Sequence, residues 1–382
     1  MRRILNWIVF PLTLTVAILL FVAGQSPMVS PATSTWIALL GLGFPVFFLV
    51  NFLLLVYWLI QLKWRTLIPL AVLLLNLGQA SLYIQFNDNY PNEAEENADS
   101  TSATLLDKKM DLKVVTYNCG LFGYFKEQWE LDDVSKRIQK ENPDVVCLQE
   151  VYAKQGSMAK LEETLKEQLQ LNYSQYHLLN PKRPYGMMIL SRFPIKKWMP
   201  VRFSGKTGNT SMWVDILVEK TVGDMNFKQK FRIYNIHLQS FKFGKQDYSY
   251  IENQGQNDAG KIDIDGSKGI VYRLRKGYEK RAVQVSRLLE EFEKTDIPKI
   301  VCGDMNDVPV SYSYRQLSKG MKDAFVESGF GLETTYKGPF PSFRIDYLLC
   351  DGEFQINAYN SWSDVPSDHK LVAAKFGWMF DR

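Results

Sequence analysis

Residues 4–62 contain no Asp, Glu, Lys or Arg, and residues 66–87 contain none either; only Lys63 and Arg65 interrupt the run. A soluble domain carries about 25% charged residues, spread along its length. The chain therefore does not read as one evenly solvated domain. The missing charge appears later: of 45 basic and 41 acidic side chains, 39 and 35 fall in residues 110–382, which hold the whole formal net charge of +4. Aromatic residues make up 13% of the chain, which excludes intrinsic disorder. A charge of +4 over so long a stretch does not by itself argue for nucleic acid.

A membrane-spanning helix needs about 20 mostly apolar residues. Three such stretches are readable, about Ile4–Ala23, within Thr35–Leu62, and about Thr66–Phe86. Trp7, Trp36, Trp58, Trp64 and Tyr83 lie near their ends, where amphipathic rings favour the headgroup layer. Buried core helices are the competing reading, and an uncharged run this long leaves them no solvated face. A signal peptide starting at Arg2 and Arg3 is another, with Phe21–Ala23 a poor cleavage site. Positive charge marks the cytoplasmic side. Arg2, Arg3, Lys63 and Arg65 then place the amino terminus and second loop inside, and the remainder outside. The expectation is a multi-pass membrane protein with residues 1–88 as a transmembrane segment of three helices and the lipid bilayer as partner. Residues 89–109 read as an acidic linker, and 110–382 as an extracytoplasmic domain.

That domain alternates short β-rich runs with helical stretches. Leu112–Tyr117, Val145–Gln149, Gly186–Ser191, Met212–Glu219, Phe231–Leu238, Pro298–Cys302, Arg344–Cys350 and Leu371–Phe376 read as strands. Leu131–Glu141, Met158–Gln170 and Tyr278–Glu293 read as helices, and residues 240–277 as a long polar connection. Several strands adjoin without an intervening helix, so two packed sheets with helices outside fit better than a doubly wound sheet. The four cysteines show no metal-ligand spacing and read as buried free thiols.

Chemistry-bearing residues recur at strand ends. Asn235 and His237 are two apart on a strand and share a face. His177, with no carboxylate beside it in sequence, reads as structural. An apolar run breaks at Gly303 and presents Asp304 and Asn306, and another ends in Glu150, which either caps the strand or holds a divalent cation. Asp346 lies among strand formers, where a buried carboxylate needs a partner; a histidine is the best one. Asp368 and His369 follow near the carboxyl end, and Asn118 closes the first strand. The set Asn118, Glu150, Asn235, His237, Asp304, Asn306, Asp346, Asp368 and His369 is rich in oxygen. It suits Mg²⁺ or Mn²⁺ more than zinc, and phosphate esters as substrates.

The ordered series Thr116-Tyr117-Asn118, Gln149-Glu150, Tyr185 to Arg192, Asn235-Ile236-His237-Leu238, Gly303-Asp304-Met305-Asn306, Arg344-Ile345-Asp346-Tyr347 and Ser367-Asp368-His369 resembles the endonuclease/exonuclease/phosphatase superfamily, with its DNase I-like fold. The resemblance implies a four-layer α-β-β-α sandwich, here preceded by three transmembrane helices, and divalent-metal-dependent hydrolysis of a phosphodiester or phosphomonoester. It implies metal ligation by Asn118, Glu150 and Asp368. It also implies a water-activating Asp304, a water-positioning Asn306, His369 on the phosphate with Asp346 behind it, His237 stabilising the phosphate or protonating the leaving oxygen, and Asn235 beside His237 at the substrate. Gly120 stands where abasic-site nucleases of the family usually carry Asp, which speaks against that activity. Nucleic acid and phospholipid or inositol phosphate both remain open as substrates. Arg273, Arg275, Lys276, Lys280 and Arg281 would serve the first; an apolar rim of Phe241, Phe243, Tyr248 and Tyr250 would serve the second. A non-catalytic scaffold that retains the fold is the alternative, and no protein partner is implied.

Overall fold

The structure is a computed structural model that describes residues 2–87, 109–123, 131–153, 157–180, 183–205, 207–222, 225–241, 243, 264–338 and 343–380. The expected linker, 89–109, lies outside these apart from Lys109, as do Tyr248 and Tyr250. The chain divides into two compact units. One gathers Met1–Ile84, Phe241–Val285 and Asp307–Leu317; the other gathers Gln85–Ser240, Ser286–Asn306 and Ser318–Arg382.

The first unit contains α1 (Arg2–Gly24), α2 (Thr35–Leu42), α3 (Phe44–Ile60), α4 (Leu67–Leu75) and α5 (Leu77–Ala80). Leu20, Ala23, Phe44, Leu73 and Val310 form an apolar cluster in it. Buried polar side chains must find protein partners where water is absent. Asn51 Nδ2 donates to the carbonyls of Val16 (3.0 Å) and Phe47 (2.9 Å), and Trp58 Nε1 donates to Thr13 Oγ1 at 2.9 Å, which ties α3 to α1.

The expected three transmembrane helices are not found here. One helical stretch, the 25 residues Ile4–Met28, is long and apolar enough to cross a bilayer. A second counts only if α2 and α3, bent by 59°, are taken as one span. Trp64–Leu75 is too short, since at 1.5 Å per residue it covers only about 18 Å of a hydrocarbon core about 30 Å thick. The bilayer partner, the multi-pass placement and the extracytoplasmic orientation rested on three crossings and fall with them. An uncharged run looks continuous to hydropathy whether or not its backbone breaks. Here Gly43, with Pro45 in the first turn of α3, breaks the second run. Asn76 follows α4 and turns its amide back onto the carbonyl of Val72 at 2.9 Å.

The described strands are, in chain order, β1 (Ile84–Phe86), β2 (Lys109–Asn118), β3 (Val145–Tyr152), β4 (Tyr173–Asn180), β5 (Arg183–Ser191), β6 (Ile195–Val201), β7 (Ser211–Val222), β8 (Met225–His237), β9 (Lys299–Asp304), β10 (Met321–Asp323), β11 (Phe330–Leu332), β12 (Asp346–Asp351), β13 (Gln355–Trp362) and β14 (Leu371–Met379). In the second unit they build two six-stranded sheets, ordered β13-β14-β2-β3-β5-β4 and β10-β12-β9-β8-β7-β6. Alternation along each strand divides the apolar side chains between two faces. Val114, Cys147 and Ile189 meet Val214, Ile233, Cys302 and Leu348 between the sheets. Val115, Val146 and Leu148 point the other way, onto Ile138 of α6 (Leu131–Gln139) and Leu165 and Leu169 of α7 (Met158–Leu169). On the outer face of the second sheet, the ring of Tyr234 meets Phe292 of α8 (Ile264–Phe292), centroids 4.7 Å apart. This is the expected layering, a mixed α/β sandwich. All four cysteines are buried and free.

Two local differences have simple causes. Helix α8 starts at Ile264, inside the stretch read as a polar connection, because Gly266, Gly269 and Gly277 mask the helical spacing of Ile270, Leu274 and Tyr278. Edge strands such as β6 escape notice because Lys196, Lys197, Trp198 and Met199 are exposed and carry no inward-outward alternation.

The register explains where a site can form. Each sheet holds one parallel pair, β2 with β3 and β8 with β9. Antiparallel neighbours, β14 and β12, flank them. The carboxyl ends of the parallel strands and the starts of β12 and β14 therefore lie at one end of the sandwich.

Candidate active site

Asn118 ends β2, Glu150 lies late in β3, His237 ends β8, Asp304 ends β9, Asp346 starts β12, and His369 stands two residues before β14. Register alone sets Asp304 opposite both Asp346 and His237. Gly303 permits the turn into the site. Its φ is +131°, and a Cβ there would lie 2.0 Å from the carbonyl oxygen of Ile236.

Glu150 reaches the site through a bulge. The pairing of β3 with β5 shifts register between Leu148 and Val151, and Glu150 adopts φ +51°. In an unbroken strand it would share the helix-covered face with Val146 and Leu148. The bulge hands that face to Val151 and turns Glu150 toward the site, as bulges beside functional sites commonly do. Asn306 also holds φ +51°, a left-handed conformation that asparagine tolerates better than most non-glycine residues.

Asp304 is buried and accepts three bonds: from the Asn306 backbone N–H at 2.7 Å, from Asn306 Nδ2 at 2.9 Å and from Asn118 Nδ2 at 3.0 Å. Asp346 Oδ2 lies 2.9 Å from His369 Nδ1, and His369 Nε2 lies 3.8 Å from Asp304 Oδ2. On the other side, His237 Nε2 lies 3.5 Å from Glu150 Oε1 and 3.7 Å from Asp304 Oδ2. Ser367 Oγ donates to the Asn118 carbonyl at 2.7 Å and accepts from the His369 N–H at 3.1 Å, which fastens the Asp368–His369 segment to the end of β2. Gly120 lies beneath it, with Ser367 Oγ 3.1 Å and Asp368 Oδ1 3.4 Å from where a Cβ would stand. An aspartate at that position would crowd both.

Protonation follows from this crowding. Burial pushes the Asp304 carboxyl up, to about 7; the His369 charge opposes the shift and Asp346 reinforces it. Burial alone would push His369 down, but Asp346, Asp304 and Asp368 together raise it to about 10, which favours the imidazolium while no cation is bound. His237 moves the opposite way, to about 3, through burial and the charge on His369. Glu150 is raised by loss of hydration; His369 opposes the shift, Asp368 adds to it, and a hydrogen bond from Asn118 lowers it. Four carboxylates thus share one protonated histidine, an excess of negative charge that a divalent cation would relieve.

Asp304, Asp346 and His369 offer ligand atoms within 4.8 Å of one another, a buried group positioned to hold a divalent metal ion. The oxygen-rich set around it fits Mg²⁺ or Mn²⁺. A family model described as Endonuclease/Exonuclease/phosphatase family matches residues 115–369. The chain belongs to that family. It is a divalent-metal-dependent phosphoesterase of the endonuclease/exonuclease/phosphatase superfamily. A second model, a domain of unknown function (DUF8431), matches residues 6–83. No curated protein matches the chain in sequence. Among solved structures, the chain is similar to ANGEL2, a 2′,3′-cyclic phosphatase in complex with adenosine-2′,3′-vanadate, at 14% identity and TM-score 0.50, over 71% of this chain and 96% of that one. It is also similar to an endonuclease/exonuclease/phosphatase from Beutenbergia cavernae (19%, TM-score 0.47, 70% and 71%). A third is the mannosyl-6-phosphatase of Bacteroides thetaiotaomicron (15%, TM-score 0.47, 69% and 99%).

Asn235 lies on β8 two residues before His237, as expected, and its side chain is engaged within the protein. Its Nδ2 donates to the carbonyls of Leu148 and Met188, both at 3.0 Å, and its Oδ1 accepts from Gln149 Nε2 at 2.7 Å. Both amide hydrogens thus tie β8 to the facing β3 and β5. His177 lies on β4, paired with Met187. The basic side chains considered for a nucleic-acid groove are engaged in the first unit. Arg281 is fully buried against Asp307, Arg275 Nε donates to Thr35 Oγ1 at 2.8 Å, and Lys276 pairs with Glu279 at 2.8 Å. Phe241 packs on Tyr278 (5.4 Å) and under Arg281 (4.4 Å) rather than forming a free rim. Sequence reasoning missed Asn209, whose Nδ2 lies 2.9 Å from His237 Nε2. Its context, Thr207-Gly208-Asn209-Thr210, is ordinary turn chemistry and carries no signal.

Proposed function

We propose that the enzyme cleaves a phosphodiester by in-line attack of water, with Asn118, Glu150 and Asp368 as the direct metal ligands beside the Asp304–Asp346–His369 group. The observation that carries this reading is the opposite tuning of Asp304 and His369. Asp304 titrates near neutrality, and three amide bonds fix its oxygens. That suits a base taking the proton of the attacking water. His369 keeps its proton and presents Nε2 to the same space, while Asp346 fixes the ring from behind. That suits a donor to the phosphoryl oxygen, where charge develops. A bound divalent ion supplies Lewis-acid neutralisation of that oxygen. Asn306 holds Asp304 in orientation and is anchored in turn on the Leu238 carbonyl at 3.0 Å.

A diester is favoured over a monoester on charge. Among the described residues, the largest charges acting on Glu150, Asp304 and His369 come from carboxylates and histidine, with no lysine or arginine among them. A monoester dianion would meet more repulsion there than a diester monoanion.

Initial rates on bis-(p-nitrophenyl) phosphate and p-nitrophenyl phosphate, with Mg²⁺ or Mn²⁺, test this reading. The diester is expected to turn over faster; a monoester preference would reverse the substrate assignment. Mn²⁺ titration separates the ligand roles: Glu150→Gln is expected to weaken binding more than Asp346→Asn, and the reverse order would move the ion onto the Asp346–His369 pair.

A further inference from the structure

We propose that Asn235 is a positioning residue: its side-chain amide, reaching across from the facing sheet, pins the bulge in β3 that turns Glu150 into the site. This rests on the reading of Glu150 as a metal ligand. Regular pairing of β3 with β5 ends at Leu148 opposite Met188 and resumes at Val151 opposite Gly186. Gln149 and Glu150 of β3 therefore stand against Met187 alone on β5. A bulge of this kind interrupts the ladder and bends the strand. Asn235 grips both strands at the break. Its Nδ2 donates to the carbonyls of Leu148 and Met188, both at 3.0 Å, so one amide holds the last regular pair from the opposite sheet.

The other end of the amide is fixed as closely. Gln149 Nε2 donates to Asn235 Oδ1 at 2.7 Å and to Thr116 Oγ1 at 2.9 Å. Thr116, Gln149 and Asn235 are all buried. The space between the sheets is otherwise lined by apolar side chains such as Cys147, Ile189, Met212 and Cys302. An amide in such surroundings is costly unless it is hydrogen-bonded, and a bonded one accepts few arrangements. Gln149 is thus held between the sheets, while Val151 packs on the helix-covered face. Glu150, between them, is the residue left to turn outward to the site.

A simple fastening between sheets could meet β3 anywhere along its length. This one meets the carbonyl at which the register shifts. Without it, β3 can fall back toward regular pairing. A slip of one residue exchanges the two faces of a strand, so Glu150 would return to the helix-covered side, away from Asp304 and His237.

The test compares Asn235→Leu with Val214→Ala, which opens the same inter-sheet core at a residue of β7, in the full-length protein. In metal-free protein, backbone amides of residues 148–152 are expected to exchange with solvent about tenfold faster in Asn235→Leu, and at the wild-type rate in Val214→Ala. Mn²⁺ titration is expected to show a Kd raised about tenfold or more by Asn235→Leu and unchanged by Val214→Ala. In a Glu150→Gln background, Asn235→Leu is expected to weaken Mn²⁺ by no more than about twofold further, because it acts through Glu150. Wild-type exchange at 148–152 in Asn235→Leu overturns the proposal. So do additive losses in the double variant, or equal effects from Val214→Ala, which would leave Asn235 a stabilising contact and nothing more. Should Asn235→Leu fail to fold, Asn235→Ser takes its place in the same comparisons. If Glu150→Gln alone binds Mn²⁺ as the wild type does, the ligand reading fails, and exchange at the bulge still decides the part played by Asn235.

Discussion

The two ends of the β2–β3 sheet carry acids in similar numbers and treat them in opposite ways. At the end where β2 and β3 begin, each acid has a base. Asp111 pairs with Lys375 at 3.3 Å, Asp144 with Arg192 at 2.9 Å, and Glu141 with Lys113 at 3.2 Å and Arg137 at 2.8 Å. These groups, Arg137 apart, line a cavity of about 300 Å³ together with Asn142. At the other end Glu150, Asp304, Asp346 and Asp368 face two histidines, of which only His369 is charged. Arg137 and Glu141 are buried and the other pairs partly exposed, but in each the acid already has its base and asks for no further cation. An unbalanced, buried cluster is costly unless a cation completes it. Charge balance, more than the presence of acids, separates the structural end from the catalytic one.

The sharpest way to break this contrast is to neutralise one acid at each end. Asp304→Asn or His369→Ala is expected to lower kcat on bis-(p-nitrophenyl) phosphate by about 10² to 10⁴, whereas Asp144→Asn leaves it within about twofold. Equal losses from both ends would dissolve the distinction.

Metal and proton should compete at the unbalanced end only. Asp304 has its folded pKa raised from 3.8 to about 7, so the metal-free native state binds the extra proton between those values. Its contribution to stability is therefore present at low pH and lost as pH rises through about 7. A divalent ion needs the deprotonated form. Thermal unfolding is expected to show a larger Mg²⁺-induced rise in Tm at pH 8 than at pH 5; a pH-independent rise would detach Asp304 from the ion's surroundings.

His369 offers a finer probe. Its raised pKa keeps it charged until pH approaches about 10, with Asp346 the largest favourable contributor. Activity that depends on the imidazolium should decline only on that alkaline limb. Asp346→Asn is expected to move the limb down by about one pH unit or more, and an unmoved limb would show that another group controls it.

The smallest effect belongs to the paired end. Arg192→Met should change unfolding free energy by no more than about 1 kcal/mol in a urea titration, because the Asp144–Arg192 pair is partly solvated. A much larger loss would mean that this end is as finely balanced as the site.

Much of the site was legible because its residues lie at strand ends, where apolar runs stop at a polar side chain. Asp304, Asn306 and Glu150 announce themselves in this way, and Asp346 does so as an acid among strand formers. The partnership of Asp346 with His369 could be anticipated from the cost of burying a carboxylate. Asn209 could not, since its turn resembles any other. Asn235 shares a face with His237 as the period of two requires, yet the carbonyls that claim its amide come from β3 and β5, and no local rule points to them. The uncharged amino-terminal run misled because hydropathy sums composition and does not see a 59° bend or a helix that stops early.

Local sequence thus determined which segments become the central strands, which of their faces are apolar, and which residue types gather at strand ends, since these follow from side-chain alternation and the cost of burying charge. Tertiary structure decided what pairing and packing alone can set. The register placed Asp304 against Asp346 and His237, and a single bulge turned Glu150 into the site. A buried turn supplied the amide for His237, and breaks in the apolar helices left one stretch long enough to cross a bilayer where three had been expected. Each of these depends on contacts between residues far apart in the chain, or on backbone geometry that side-chain patterns do not encode.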